Sequence, residues 1–457
     1  MTSSRDTTTH RTGAGRESAP VVVGAERGAA GMGLVGVVAL AVGNMVGTSI
    51  WTLPASLAEV AGPLAVVAWI VTAGGYWFVA RSYARLGARW PITGGPYVFA
   101  REAFGERVAF VVVWSYWLSA TLGNAAIVTG VIGYAAGIVP GLHGAPVAQF
   151  IAAQVLLWGL CALNILGVRH SARLGIVLMV VTIAALVGTA ATALPQVDVA
   201  HFTPFAPHGW GALAPACALI VWAYSGVESA TVPAGEVRGG GATIARGTML
   251  GYWIATLTYL AAAVAVTGTI ATAELAATAR PLALVAERTV GAWAGVAVGL
   301  AALGSNVATL NGWILLAGRI PVQAAADGLV PSALARLHPR TGTPATALVV
   351  GTTIPAALLL LYFSRSLLGV FSFLVLLAIL TTLVPHLVTC AAERRLADRD
   401  GTRYDAAVRR RAQREAPVAI AFVLWTMLGV GREAALWGLV AIAAGVPLQR
   451  WVRTSRH

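Results

Sequence analysis

The sequence predicts an all-α integral membrane protein with twelve transmembrane helices. Of its 457 residues, 58% are hydrophobic and only 11% are charged, whereas an average soluble domain carries about 25% charged residues. Apolar runs of about 20 residues, the length that crosses a ~30 Å hydrocarbon core, recur along the chain. These observations exclude a disordered chain, a disulfide-stabilised scaffold and an ordinary soluble enzyme.

The predicted spans follow one another through mostly short connections. They lie near residues 31–58, 62–82, 106–138, 147–167, 174–195, 212–235, 247–271, 289–318, 345–363, 367–391, 416–431 and 433–449. The polar segment 1–30 lacks the apolar core of a signal peptide. Its polar composition instead predicts a flexible cytoplasmic tail. A mixed-charge cytoplasmic loop is expected over 392–414, followed by the last two spans over 415–450.

The arginines determine the predicted orientation. A net charge of +13 would in a soluble protein suggest a nucleic-acid partner. All 31 basic residues are arginines, however, and 27 of them fall in the tail and the connections that an even number of spans places on one side. Because basic loops stay cytoplasmic, we expect a multi-pass protein of the cytoplasmic (inner) membrane with both termini in the cytoplasm and no nucleic-acid partner.

The sequence contains no pattern typical of a catalytic or metal centre. Cys161, Cys217 and Cys390 all lie within predicted spans, where cysteine usually acts as a small buried hydrophobic residue. The spans and their flanks lack a nucleophile–base pair, a His/Asp/Glu metal cluster and a phosphate-binding loop. We therefore expect no enzyme activity, no metal and no cofactor.

Polar residues interrupt the first span. Segment 43–49 places two glycines and three small polar residues within an aliphatic run. An unpaired polar group costs several kcal/mol in hydrocarbon, so such a segment at bilayer depth is a functional hypothesis. It favours an unwound stretch whose free N–H groups, at the start of a second half-helix, could bind a carboxylate. The alternative is a packing face formed by Gly43 and Gly47.

The sixth span has a second polar interruption, over 222–229, which holds Glu228, the one carboxylate deep within a predicted span. A carboxyl group at this depth in the bilayer must be protonated, hydrogen-bonded to free N–H groups or facing water. Glu228 is therefore a candidate gate or proton-linked residue. A structural role, tying helix ends together, is the alternative. The two interruptions occupy corresponding places in two five-span blocks, 31–195 and 212–391, as in inverted-repeat transporters with a midplane site.

The motifs, in this order and spacing, resemble the amino acid–polyamine–organocation superfamily of secondary transporters. Its bacterial basic amino acid and polyamine antiporters, such as the arginine/agmatine exchangers, are the most similar. The resemblance covers about residues 31–450 and rests on the segments 43–54, 94–101, 116–124, 222–230, 312–318, 325–329, 342–344 and 382–385. It implies the leucine-transporter fold, with a 5+5 inverted repeat, broken helices one and six, and a possible homodimer.

The resemblance also implies a substrate site. The carboxylate would be bound by span-one N–H groups and the Thr48 hydroxyl, and the α-ammonium by carbonyl groups of Met45, Trp222 and Ser225. Trp222 and Trp313 would form walls, Asn124 would bond a guanidinium, and Ser119 and Thr309 would line the pocket. The expected substrate-binding residues are Asn44, Met45, Gly47, Thr48, Ser49, Ser119, Asn124, Trp222, Ser225, Gly226, Thr309 and Trp313.

Two positions depart from the family pattern. Ser49 stands where the family motif has a third glycine, and its Cβ narrows the approach to the backbone, so a decarboxylated amine remains a possible substrate. Tyr116 and Glu228 match parts of the outer gate, but His386 stands where a tyrosine is frequent. An imidazole can titrate near neutral pH, although a structural donor is the alternative for His386. We expect Tyr116, Glu228 and His386 to be gating or proton-linked.

Together these features predict an exchanger of basic amino acids or their amines. Indole faces attract cations by roughly 0.5–2 kcal/mol, which suits a cationic side chain. Spans one, two, six and seven are expected to rock against three, four, eight and nine, within a lipid bilayer. A proton-coupled carrier of neutral or aromatic amino acids is one alternative, because Glu228 is the only acid in the pocket. A non-transporting amino acid sensor is the other.

Overall fold

The structure of the protein is a computed structural model that describes residues 32–166, 171–364 and 366–454. The tail predicted over 1–30 lies outside these residues. Within the described part the regular structure is helical, apart from one isolated bridge between Met32 and Val237. Ten helical segments of the described residues are long and apolar enough to cross a membrane. The all-helical membrane class is therefore confirmed. The number twelve remains a prediction, since Leu34–Arg89 combines two predicted spans and span 416–431 is not among the ten.

The α-helices are named in chain order. They are α1 (Leu34–Met45), α2 (Thr48–Ala61), α3 (Ala65–Arg89), α4 (Pro96–Phe104), α5 (Glu106–Ala136), α6 (Pro146–Leu166), α7 (Ser171–Ala193), α8 (Leu213–Tyr224), α9 (Gly240–Thr269), α10 (Thr272–Ala277), α11 (Pro281–Thr289), α12 (Ala292–Ala326), α13 (Ala345–Leu358), α14 (Leu367–Arg399), α15 (Ala406–Leu428), α16 (Arg432–Ala443) and α17 (Gly445–Thr454).

The two polar interruptions are breaks in helices. Only Val46 and Gly47 separate α1 from α2, and residues 225–228 separate α8 from a short 3₁₀ turn at Ser229–Thr231. An ideal Cβ on Gly43 would have no atom of the described structure within 4 Å. The Cα face of Gly43 therefore packs against no neighbouring helix, whereas a Cβ on Gly47 would overlap Thr309 of α12. The close helix contact at the first break thus involves Gly47.

Helix α5 forms the centre of the molecule. It is 31 residues long and apolar on every side, with buried residues from Ala109 to Tyr134, which is the composition expected of a helix surrounded by others. It packs against α12 and α14, while α3 packs against α9. Aromatic rings fill the space between α3 and α8, where Tyr76 stacks on Tyr224 with ring centroids 4.8 Å apart. These helices surround both breaks.

The connector expected over 392–414 is largely helical. Helix α14 continues to Arg399 and α15 begins at Ala406, so only 400–405 lies outside a helix. Glu393 is wholly buried and pairs with Arg85, because α3 and α15 cover the end of α14. We call the side where α3 and α14 end the arginine-rich face.

Candidate substrate site

The two helix breaks are in direct contact. Gly226 has φ of +115°, a conformation that favours glycine. An ideal Cβ there would lie 2.8 Å from the carbonyl carbon of Asn44 and 3.0 Å from the amide nitrogen of Met45. The Asn44 Nδ2 donates a hydrogen bond of 2.8 Å to the hydroxyl of Ser229. Backbone groups of both breaks therefore face one small region.

Helix α12 closes this region on one side. Thr309 lies so close to Gly47 that its Cβ is 2.9 Å from where a Cβ of residue 47 would be. Its hydroxyl donates to the carbonyl of Gly43 at 3.4 Å. An ideal Cβ on Gly312 would lie 3.2 Å from the Oδ1 of Asn44. Gly47 is therefore required for the approach of α12 to the first break.

Helix α5 forms another side. An ideal Cβ on Gly123 would lie 2.8 Å from the tip of the Trp222 indole, and one on Gly130 would lie 2.8 Å from the methyl group of Thr48. Asn124, next to Gly123, is 1% exposed. Neither polar atom of its side chain has a hydrogen-bond partner among the described residues. Its carboxamide is free to bind a polar ligand group.

Glu228 is held within the second break. It is wholly buried, and the Gly226 N–H donates to its two carboxylate oxygens at 3.0 and 3.2 Å. The hydroxyl of Tyr116, on α5, donates to Oε1 at 3.1 Å. These contacts correspond to the second of the three states expected for this acid, a carboxyl group bonded to free N–H groups of a broken helix.

Three of the residues expected to bind substrate or to form the gate are hydrogen-bonded to other groups of the protein. Ser119 shares a hydrogen bond with Thr382 of α14. The hydroxyl of Ser49 donates to the carbonyl of Met45 at 3.1 Å, so this side chain folds back across the first break. His386 bonds through Nδ1 to the hydroxyl of Tyr83 at 2.9 Å. Sequence reasoning missed Tyr83, because no local pattern indicates which side chain of α3 faces α14.

Hydrogen bonds and an ion pair join several segments between the breaks and the arginine-rich face. The Gly94 N–H donates to the carbonyl of Val232 at 2.9 Å, joining the start of α4 to the segment after the second break. The Tyr97 hydroxyl donates to Asp327 at 2.6 Å, and Arg101 pairs with the same carboxylate at 2.9 Å. Burial, and then the bond to Asp327, raise the pKa of Tyr97 above its usual range, so its hydroxyl remains a donor.

The opposite face has an open cavity of about 540 Å³. It lies between the end of α2, the segment after α7 and helix α10, and its lining includes Glu59, His201, Pro204 and His208. The breaks thus lie between this cavity and the bonded segments near the arginine-rich face.

The chemistry of the site is that of non-covalent binding. N–H, carbonyl, hydroxyl, carboxamide and indole groups surround the breaks, with the Glu228 carboxyl beside them. Trp222 and Trp313 are 8% and 6% exposed, so both indoles lie inside the molecule. The described residues contain no group of three or more His, Cys, Asp or Glu side chains that could hold a metal ion.

Comparisons with known proteins indicate the family of the chain. The profile of a family described as amino acid permease matches residues 32–447. The cadaverine/lysine antiporter of Escherichia coli (strain K12) is 30% identical over 79% of this chain and 82% of its own length. A putative arginine/ornithine antiporter of Bacillus subtilis (strain 168) is 28% identical over 77% and 81%, and a branched-chain amino acid permease of the same strain is 28% identical over 67% and 70%. The chain belongs to the amino acid permease family, within the superfamily that its motifs resemble.

Proposed function

We propose that this protein is a secondary active transporter that exchanges basic amino acids or their decarboxylated amines across the cytoplasmic membrane. The contact of the two broken helices at Gly226 and Asn44, beside the Trp222 indole, is the observation that carries this proposal. Such a site offers free backbone groups to a zwitterion at bilayer depth. The names of the antiporter relatives support the substrate class.

Each end of the substrate has a proposed binding partner. The carboxylate would bind at the start of α2, where Gly47 provides no side-chain cap and the buried Thr48 hydroxyl has no partner in the described part of the chain. The N–H groups of a first helical turn are unpaired within the helix and attract negative charge. The α-ammonium would bind carbonyl groups at the breaks, including those of Trp222 and Ser225.

The cationic side chain would lie against the two indoles. The ring faces of Trp222 and Trp313 would attract a guanidinium or ammonium, and the Asn124 carbonyl would accept a hydrogen bond from it. Since these groups are neutral, they bind a cation without a buried counter-charge.

Glu228 is the proposed proton-linked group, with Tyr116 as its gate partner. The acid faces the Tyr116 hydroxyl from α5 and the Gly226 N–H from its own segment, and His386 from α14 is bonded to Tyr83 of α3. Because glutamine neither takes up nor releases a proton, we expect Glu228→Gln to flatten the pH dependence of exchange, measured in proteoliposomes between pH 5 and 8. Glu236→Gln, at an exposed residue, is the control and should keep the wild-type profile.

We also propose the finer architecture that the resemblance implies. Of twelve helices, the first ten would form two inverted five-helix blocks, 31–195 and 212–391, with both termini and most arginines cytoplasmic and with two copies forming a homodimer in lipid. Alternating access would break the contacts at the arginine-rich face. Labelling of single cysteines introduced at exposed positions on the two faces, by an impermeant reagent applied to intact cells, tests the orientation.

Exchange in proteoliposomes tests the function. Vesicles loaded with unlabelled arginine, lysine or ornithine should take up labelled arginine, and empty vesicles should not. Trp222→Leu should weaken arginine competition about 2-fold to 30-fold, whereas Trp437→Leu, at a 52% exposed residue of α16, should not. Sodium-driven uptake without an internal counter-substrate would contradict the proposal.

The branched-chain relative supports a second candidate, a carrier of neutral amino acids. If leucine and valine compete as well as arginine, and Trp222→Leu retains arginine binding, this candidate is correct. A protein that binds arginine without moving it across the vesicle membrane would instead be a sensor.

A further inference from the structure

Two of the five asparagines in the chain have unusual surroundings. All five lie in helices. Asn44 bonds to Ser229, and Asn164 bonds to Asn311 at 2.8 Å. Asn124 and Asn306 are buried, and neither carboxamide has a partner for its nitrogen or its oxygen among the residues that the structure describes. Buried polar groups are nearly always paired, because an unpaired one costs the free energy of its lost hydration.

The position of Asn306 on α12 shows which way its side chain faces. An α-helix turns by about 100° per residue, so Thr309 lies about 60° from Asn306 around the helix and Trp313 about 20°. Thr309 is the residue packed on Gly47. Gly304, on the far side of α12, faces Leu178 of α7, and Asn311 faces α6. Asn306 therefore lies on the side of α12 that faces the first break.

The two unpaired carboxamides lie at different ends of the site. Asn124 follows Gly123, which packs on the indole of Trp222, at the end proposed for the substrate side chain. Gly312 faces Asn44 and Thr309 faces Gly47, so α12 and the first span run past each other in opposite directions. Asn306, one turn before Thr309, therefore lies beside the start of α2, at the end proposed for the carboxylate. Ser49 cannot supply a side-chain donor at that end, because its hydroxyl bonds to Met45.

We propose that Asn306 donates a carboxamide N–H to the α-carboxylate of the substrate and thereby selects amino acids over their decarboxylated amines. This inference rests on the function proposed above. An amino acid presents acceptor oxygens at this end, whereas an amine presents only hydrogens there, so the Asn306 N–H contributes to the binding of the first class alone. Asn124 acts at the opposite end, which both classes share.

A competition assay with paired ligands tests this role. Labelled arginine exchange is measured in proteoliposomes with lysine or cadaverine as the inhibitor. Cadaverine is lysine without its carboxyl group, so the two ligands form a matched pair. In Asn306→Leu the inhibition constant of lysine should rise about tenfold to a hundredfold, while that of cadaverine changes by less than about twofold. Asn311→Leu, on the other side of α12, is the matched control and should leave the ratio of the two constants unchanged. Asn124→Leu should weaken both ligands together.

Asn306→Asp gives a second measurement that does not depend on the leucine variant folding. Its carboxylate repels that of lysine and attracts an ammonium, so lysine should weaken further and cadaverine should bind at least as well as to wild type. Equal losses for both ligands, or no change for either, would overturn the inference. So would a wild-type protein that exchanges cadaverine but does not bind lysine, since it has no carboxylate subsite. If the wild type exchanges neither, the proposed function itself is wrong.

Discussion

Gly226→Ala is expected to destabilise the protein strongly. The added Cβ would lie 2.8 Å from the carbonyl carbon of Asn44 and 3.0 Å from the nitrogen of Met45, whereas carbon atoms pack at about 3.5–4.0 Å. Because both are backbone atoms, no rotamer change relieves the overlap. Displacing them costs about 1–3 kcal/mol, and an alanine at φ of +115° costs about 1–3 kcal/mol more. The sum, about 2–6 kcal/mol, is a large part of a typical folding free energy.

The assay compares thermal unfolding in detergent with exchange in proteoliposomes. Gly43→Ala is the matched control, since nothing in the described structure lies within 4 Å of its ideal Cβ and alanine favours a helix interior by about 0.5–1 kcal/mol. The control should melt at or above the wild-type temperature, and Gly226→Ala should melt well below it and lose exchange. A Gly226→Ala protein with wild-type melting and exchange would refute the proposed contact of the two breaks.

Two further predictions concern contacts between helices. Gly47→Ala should impair exchange because its Cβ overlaps Thr309. Adding Thr309→Ala should restore part of the lost exchange rate, so that the double variant loses less activity than the two single losses added together. Glu393→Leu should lower stability by about 1–3 kcal/mol in thermal or denaturant unfolding, since Arg85 and Ser82 lose their buried acceptor while Glu415 still pairs with Arg85. Glu236→Gln, at a half-exposed ion pair, should cost only about 0–1 kcal/mol; equal losses at both sites would contradict the assigned burial.

The contacts of the predicted site residues were only partly foreseeable. The helix ends at Met45 and Tyr224 follow from glycine and small polar residues in apolar runs, a property of each segment alone. The pairing of His386 with Tyr83 joins α14 to α3, and no local pattern encodes it. Asn306 carried a usable signal, because it shares a helical face with Thr309 and Trp313.

The sequence by itself determined the membrane class and the breaks, because the free energy of placing a segment in hydrocarbon depends on that segment's own composition. The tertiary structure alone decided which polar groups are paired. It buried Glu393 against Arg85 where a solvated connector was expected, and it left the carboxamides of Asn124 and Asn306 unpaired in the described structure. Such pairing depends on how each helix is rotated relative to its neighbours, and that rotation results from the packing of all the helices together.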